Sequence, residues 1–107
     1  MTFSLNIKTA EDLQAEALAR HQQSVTAAIE AHIEAQAHAM QYSSGAHLAG
    51  YRDSTVEAWA AEAQAFVAWR DACWLAALAM LDAAQQGGPV PTVAEALDAL
   101  PEWTGND

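Results

Sequence analysis

Glu30, Glu34 and His38 are the residues whose types and spacing come closest to a site for chemistry. They recur every four positions, so they form one column on a helix. Carboxylate and imidazole groups are metal ligands, and such a column closes a metal site when another helix faces it. The Glu-x-x-His spacing of di-iron bundles and the His-Glu-x-x-His spacing of zinc proteases are absent from the sequence. We therefore interpret the column as a solvated face and expect no metal and no cofactor.

Nucleophilic side chains lack the neighbours that would activate them. Cys73 is the only cysteine and has no nearby histidine to lower its pKa, so we interpret it as structural. Ser43, Ser44 and Ser54 stand outside any Gly-x-Ser-x-Gly motif, and the chain has no glycine-rich phosphate loop. The sequence therefore predicts that the protein is not an enzyme.

Two histidines flank the apolar stripe of the first predicted helix. His21 and His32 lie between Leu18 and Ile33 at the edge of that stripe. A hydrogen-bonded histidine at the edge of a core is the usual arrangement. In a trimer the same rings would stack near the symmetry axis and make assembly sensitive to acid.

A group of aromatic residues with one arginine is the best candidate for binding a partner. Arg70 and Trp74 are i,i+4 neighbours with cation–π spacing, and Trp69 adjoins them. Tryptophan and arginine are typical interface anchors, although packing inside the chain explains them equally well. The predicted partner-binding residues are Trp59, Phe66, Trp69, Arg70 and Trp74.

The helix that carries these residues is predicted to be the most buried element. It opens on a Ser-x-x-Glu capping box, Ser54 to Glu57, and stops before Gly87-Gly88. Apolar residues recur every seven positions along it and leave only a narrow polar stripe, so several neighbours must cover it.

The remaining segments predict an all-α fold. Thr9 is the expected N-cap of the first helix, and Thr92 to Glu95 form a second capping box before a short helix that ends at Pro101. We predict a single domain, 1–107, built on a long antiparallel helical hairpin. Its parts are an extended arm at 1–8, hairpin helices at about 10–41 and 55–86 within 9–86, a loop at 42–53, and a short helix at 93–100 within a strap at 89–103.

Composition limits the classes of partner. Fourteen acidic residues face four basic ones, a formal net charge of −10, which disfavours nucleic acid and anionic membranes. An acidic DNA mimic would need dense rows of carboxylates, and only Glu11 and Asp12 are adjacent, so this alternative ranks last. Alanine supplies 27 of the 107 residues, and so thin a core predicts a homo-oligomer or a hetero-complex. Met1 to Ile7 shows no signal-peptide pattern, so we expect a cytoplasmic protein.

Several segments carry a resemblance to a known class of proteins. They are Tyr51-Arg52-Asp53-Ser54, Trp59 with Glu62-Ala63-Gln64-Ala65-Phe66, Trp69-Arg70-Asp71-Ala72-Cys73-Trp74, Leu81-Asp82, Pro91-Thr92-Val93 and Leu100-Pro101. Over about residues 42–103 the sequence resembles small tail proteins of tailed bacteriophages and prophages, of the tail-fibre assembly type. The resemblance implies a non-enzymatic protein that works in the host bacterial cytoplasm or in the virion tail, and it implies no catalytic residues.

Two functions follow from this resemblance. An assembly chaperone would shield apolar surfaces of a tail or tail-fibre protein until assembly is complete. A resident subunit would instead join a helical bundle in the virion, with the arm from Phe3 to Ile7 adding a strand to a neighbour. The two differ in whether the protein is present in purified particles.

Overall fold

The fold consists of helices joined by short connections. A computed structural model describes residues 9–105, so the predicted arm at 1–8 lies outside the described residues. Within residues 9–105 the elements are α1 (Ala10–Ala39), α2 (Gly45–Ala49), α3 (Glu57–Gln85) and α4 (Val93–Asp98), with no strand. The predicted all-α fold with two long helices and a short C-terminal helix is confirmed.

The start of α1 is fixed by a local motif. The Thr9 hydroxyl accepts a hydrogen bond from the Asp12 backbone at 3.0 Å, and the Asp12 carboxylate accepts one from the Thr9 backbone at 3.2 Å. This capping box confirms Thr9 as the N-cap. The helix ends at Ala39, two residues before the predicted end, and Gln41 then takes a left-handed conformation with φ 76°.

The predicted capping box at the start of α3 is wrong. The Ser54 hydroxyl accepts from the backbone of Val56 at 3.0 Å, two residues ahead, so it closes a turn before the helix begins. Val56 is the N-cap without a side-chain cap, and Glu57 becomes the first helical residue. The end of α3 follows the prediction more closely, because Gly87 is left-handed (φ 92°) and Gly88 donates to the Ala83 carbonyl.

The predicted loop at 42–53 folds back onto the helices and contains a short helix that the sequence did not predict. Ser44 caps α2 by accepting from the His47 backbone at 2.9 Å. Leu48 of α2 is fully buried, and the Tyr42 hydroxyl donates to the Glu62 carboxylate of α3 at 3.0 Å. These contacts anchor the connection to both long helices.

The two long helices run antiparallel. Tyr42 meets Glu62 near the connection, and the ring of His32 lies 5.7 Å from that of Trp69 further along. The buried side chains cluster in this half of the hairpin, near α2 and α4, and α3 contributes more of them than any other helix. They are Ile29, Ile33, Ala37, Leu48, Ala63, Phe66, Trp69, Cys73, Ala96 and Leu100. Full burial starts at Ile29 in α1 and stops at Cys73 in α3, so the far halves of both helices add only partly buried side chains to the core, such as Val25 and Met80.

The C-terminal strap, residues 89–103, returns along the hairpin. Thr92 and Glu95 form the predicted capping box with bonds of 2.9 and 3.0 Å, and α4 ends at Asp98, two residues early. The indole N–H of Trp69 donates to the Pro101 carbonyl at 2.9 Å. Trp103 then packs edge-on against Trp69 with 5.6 Å between ring centroids.

Candidate protein-binding groove

An apolar groove separates the far halves of α1 and α3. Its volume is about 400 Å³, and the residues from α1, α3 and the strap that line it are mostly aliphatic. The lining residues are Leu18, His21, Gln22, Val25, Thr26, Ile29, Trp74, Ala77, Leu78, Met80, Leu81, Ala84, Gln85, Val90 and Pro91. We name this feature the distal groove.

Charge is missing from the distal groove. None of its fifteen lining residues is Asp, Glu, Lys or Arg, although the chain has a formal net charge of −10. Several of the large apolar side chains in it face water, since Leu18 is 53% exposed and Leu78 is 59% exposed. Leu75, one turn before Leu78, is 66% exposed. The groove and its rim therefore form one uncharged apolar surface.

One side of the distal groove is fixed by a hydrogen bond from the strap. A ring nitrogen of His21 (Nε2) donates to the Pro91 carbonyl at 2.7 Å. His21 is half-buried, as expected of a histidine at a core edge with a polar partner. His32 is exposed and rests on the Trp69 ring, so it too lies at the edge of the core.

The structure separates the five predicted partner-binding residues. Phe66 is fully buried and Trp69 is 8% exposed, so both belong to the core and offer a partner little or no surface. The physical reason is that α2 and the strap cover this part of α3. Trp74 is half-buried and lines the distal groove, while Trp59 is 47% exposed at the other end of α3. The Arg70 guanidinium pairs with the adjacent Asp71 at 3.0 Å.

Trp59 instead joins an aromatic cluster at the connection. Its ring lies edge-on to Tyr51 with 5.6 Å between centroids, and Tyr51 in turn lies 5.8 Å from Tyr42 and 5.4 Å from His47. Burial raises the pKa of the Tyr42 hydroxyl above its usual range, and its hydrogen bond to Glu62 raises it further. The cluster anchors α2 and explains why the connection is ordered against the helices.

Two residues of the predicted column, Glu34 and His38, hold the connection between the long helices. Both oxygens of the Glu34 carboxylate accept from the Gly45 backbone at 3.0 Å, and a His38 ring nitrogen donates to the Ser43 carbonyl at 3.1 Å. The interpretation as a solvated face fits Glu30 and His38, which are exposed. Glu34 is half-buried and binds the backbone at the start of α2. Residues 9–105 contain no cluster of three or more groups suited to hold a metal ion.

Glu34→Ala is expected to lower the free energy of unfolding by ~1–2 kcal/mol, because the N–H of Gly45 would lose its charged acceptor at a helix start. Urea unfolding followed by circular dichroism measures the change. Glu30→Ala is the matched control, since Glu30 lies one turn earlier in the same column and is exposed. Equal unfolding midpoints for the two variants would contradict the role assigned to Glu34.

Cys73 lies inside the core between the long helices. It is fully buried, and burial raises the pKa of its thiol. A higher thiol pKa leaves less thiolate at neutral pH, so the side chain packs as a small apolar group. This placement agrees with the structural role that the sequence predicts.

Sequence reasoning missed most of the residues that define the distal groove. Trp74 was predicted to bind a partner, but the exposed Leu18, Leu78 and Val90, which also line the groove, were not assigned to a site. For Leu78 the signal was the width of the apolar face of α3, which exceeds what one hairpin partner can cover.

The distal groove offers apolar contact and a few neutral hydrogen-bonding groups, among them Gln22, Thr26 and Gln85. Such a surface is suited to hold an apolar segment of a protein. None of the helices within residues 9–105 has the length and hydropathy needed to cross a membrane. No protein-family model matches the sequence, no curated protein matches it, and no solved structure matches the fold.

Proposed function

We propose that this chain is a non-enzymatic accessory protein of a phage tail. It binds an apolar segment of a tail or tail-fibre protein in the distal groove and shields that segment during assembly in the host bacterial cytoplasm. The observation that carries the proposal is the uncharged groove of about 400 Å³ with exposed leucines on its rim.

The surface chemistry favours a binding role. Monomeric proteins rarely expose a contiguous large apolar patch unless it contacts a partner. Leu18, Leu78 and Val90 are each about half exposed and line the same groove, so they form such a patch. The charge of −10 on the rest of the chain keeps a protein with this patch in solution. A solubilising body with one apolar groove is what a chaperone for unassembled subunits requires.

The phage-tail setting is supported by the sequence resemblance over about residues 42–103. Its most specific segment, Trp69-Arg70-Asp71-Ala72, lies at the point where α3 meets the strap. Trp69 bonds to Pro101 there, so two of the segments that carry the resemblance meet in space. The resemblance thus includes residues that join α3 to the strap.

A resident tail subunit is the second candidate. It is favoured by the two long helices whose far halves carry no buried side chain, because helices of this kind complete their cores in bundles. In this case the distal groove is a permanent contact in the virion. Mass spectrometry of purified virions separates the candidates, since a chaperone is absent and a subunit is present in fixed stoichiometry.

Co-expression with the tail-fibre protein of the phage that carries the gene tests the chaperone role. We expect the wild-type chain to raise the yield of soluble fibre protein and to be pulled down with it. Leu18→Asp with Leu78→Asp should abolish both effects, because charges would then enter the apolar groove. Leu13→Asp is the control, since Leu13 is equally exposed (54%) and does not line the groove. Full activity of the double variant would refute the assignment of the site.

A further inference from the structure

We propose that, in the free protein, a second copy of this chain fills the distal groove and forms a two-fold symmetric dimer. The proposal concerns the isolated protein and goes beyond the proposed function. In an assembly chaperone the second copy would be the occupant that a tail or fibre segment displaces.

The surface of α3 is complementary to itself around this groove. Leu75 and Leu78 form an apolar ridge one turn long, 66% and 59% exposed, beside the groove that Leu78 and Trp74 line. A two-fold axis brings the same patch of two copies together, so the ridge of each copy enters the groove of the other. Interdigitation of ridges and grooves is the normal way in which helices pack.

The groove has room for such a ridge. A dry protein cavity of ~150 Å³ accommodates a benzene molecule, which is similar in bulk to a leucine side chain. The distal groove measures about 400 Å³, so it can take both leucines of the ridge. A single inserted side chain would leave much of it empty.

The distribution of charge permits two acidic copies to meet here. Each chain has a formal net charge of −10, and a face carrying these acids would repel its copy. The fifteen residues of the distal groove contain no charged side chain, so this face can be buried without desolvating an ion. Acids outside it are screened over ~10 Å at ordinary ionic strength.

The unfinished core favours a second copy over a short peptide. Burial begins at Ile29 in α1 and ends at Cys73 in α3, which leaves about half of each long helix without a buried side chain. The exposed parts of two helices, each ~10 Å wide and ~25 Å long, present a face of roughly 500 Å². Interdigitating side chains enlarge the buried area towards the ~800 Å² per partner of a stable interface. Another hairpin supplies a matching face and extends the core along the helices.

Light scattering coupled to size-exclusion chromatography tests the dimer. The test uses ~100 µM protein, a concentration above the micromolar dissociation constants of the weakest interfaces of this size. We expect a mass of twice the 11.4 kDa chain. Leu75→Asp with Leu78→Asp should give the mass of one chain with unchanged helicity. We expect its dissociation constant to be at least ~100-fold higher than that of the wild type, because four apolar contacts become charged. Leu13→Asp should remain dimeric.

Three results would overturn the proposal. They are a wild-type monomer at this concentration, a Leu75→Asp, Leu78→Asp variant that stays dimeric, and a Leu13→Asp variant that dissociates equally. If the wild type is monomeric and deletion of residues 1–8 makes it dimerise, the groove belongs to the arm of the same chain. A chain that dimerises but captures no fibre protein would defeat the proposed function and support the dimer. A chain that captures fibre protein but never dimerises would defeat the dimer and support the proposed function.

Discussion

Phe66→Ala is expected to lower the free energy of unfolding by ~3–5 kcal/mol, the cost of truncating a large side chain in a packed core. Phe66 is fully buried, and its ring lies 6.1 Å from that of Trp69. It also lies so close to Gly45 of α2 that a methyl group built there would stand 3.3 Å from its ring. The side chain therefore joins α3 to the connection, and a cavity here would loosen both.

Chemical denaturation followed by far-ultraviolet circular dichroism measures this loss. Since domains are stable by only ~5–15 kcal/mol, Phe66→Ala should unfold at a much lower denaturant concentration. All variants must be compared at one protein concentration, because the stability of a dimer depends on it. Leu13→Ala is the control, since Leu13 is exposed on α1 and should change stability by no more than ~0.5 kcal/mol. Similar midpoints for both variants would show that the described core is wrong.

Trp69→Ala is expected to cost a similar ~3–5 kcal/mol and to release the strap. Trp69 packs against Phe66 and Trp103, and its indole N–H holds the Pro101 carbonyl. Trp69→Phe keeps an aromatic ring but loses this donor, so it should cost about 1 kcal/mol for the hydrogen bond and somewhat more for the smaller ring. Thermal and chemical unfolding of the two variants separates packing from hydrogen bonding.

Arg70→Ala supplies the neighbouring control. Within residues 9–105, Arg70 pairs with the adjacent Asp71 at a part-exposed site, and such ion pairs contribute little, so stability should change by less than ~0.5 kcal/mol. Because Trp69 is buried, a Trp69→Ala, Arg70→Ala double variant should lose about as much stability as Trp69→Ala alone. Equal stabilities of Trp69→Ala and Arg70→Ala would show that Trp69 lies at the surface.

The helix starts show how far local sequence determines structure here. Thr9 and Thr92 each cap a helix because a carboxylate three residues later completes the motif within one turn. Ser54 has the same spacing to Glu57, but its hydroxyl bonds to Val56 and the helix starts later. In each case a side-chain hydroxyl accepts a hydrogen bond from a backbone N–H two or three residues ahead. For Ser54, the path of the connection decides which of these N–H groups it reaches.

The distal groove depends on information that the sequence pattern does not contain. The apolar face covers most of the circumference of α3. The sequence pattern therefore does not reveal which side of the helix packs against α1, which side the strap covers and which side stays exposed. Phe66 and Trp69 were therefore predicted to bind a partner, although α2 and the strap bury them within the chain. Leu75 and Leu78 lie on the same broad face and stay exposed because the strap crosses elsewhere.

The bond between His21 and Pro91 joins residues 70 positions apart. During synthesis His21 emerges first and must wait for Pro91, 70 residues later, whereas Tyr42 and Glu62 meet after only 20 residues. We expect the connection to fold on the growing chain before the strap docks. A chain truncated after Gln86 should therefore bind more of a dye that reports exposed apolar surface than the full-length protein does.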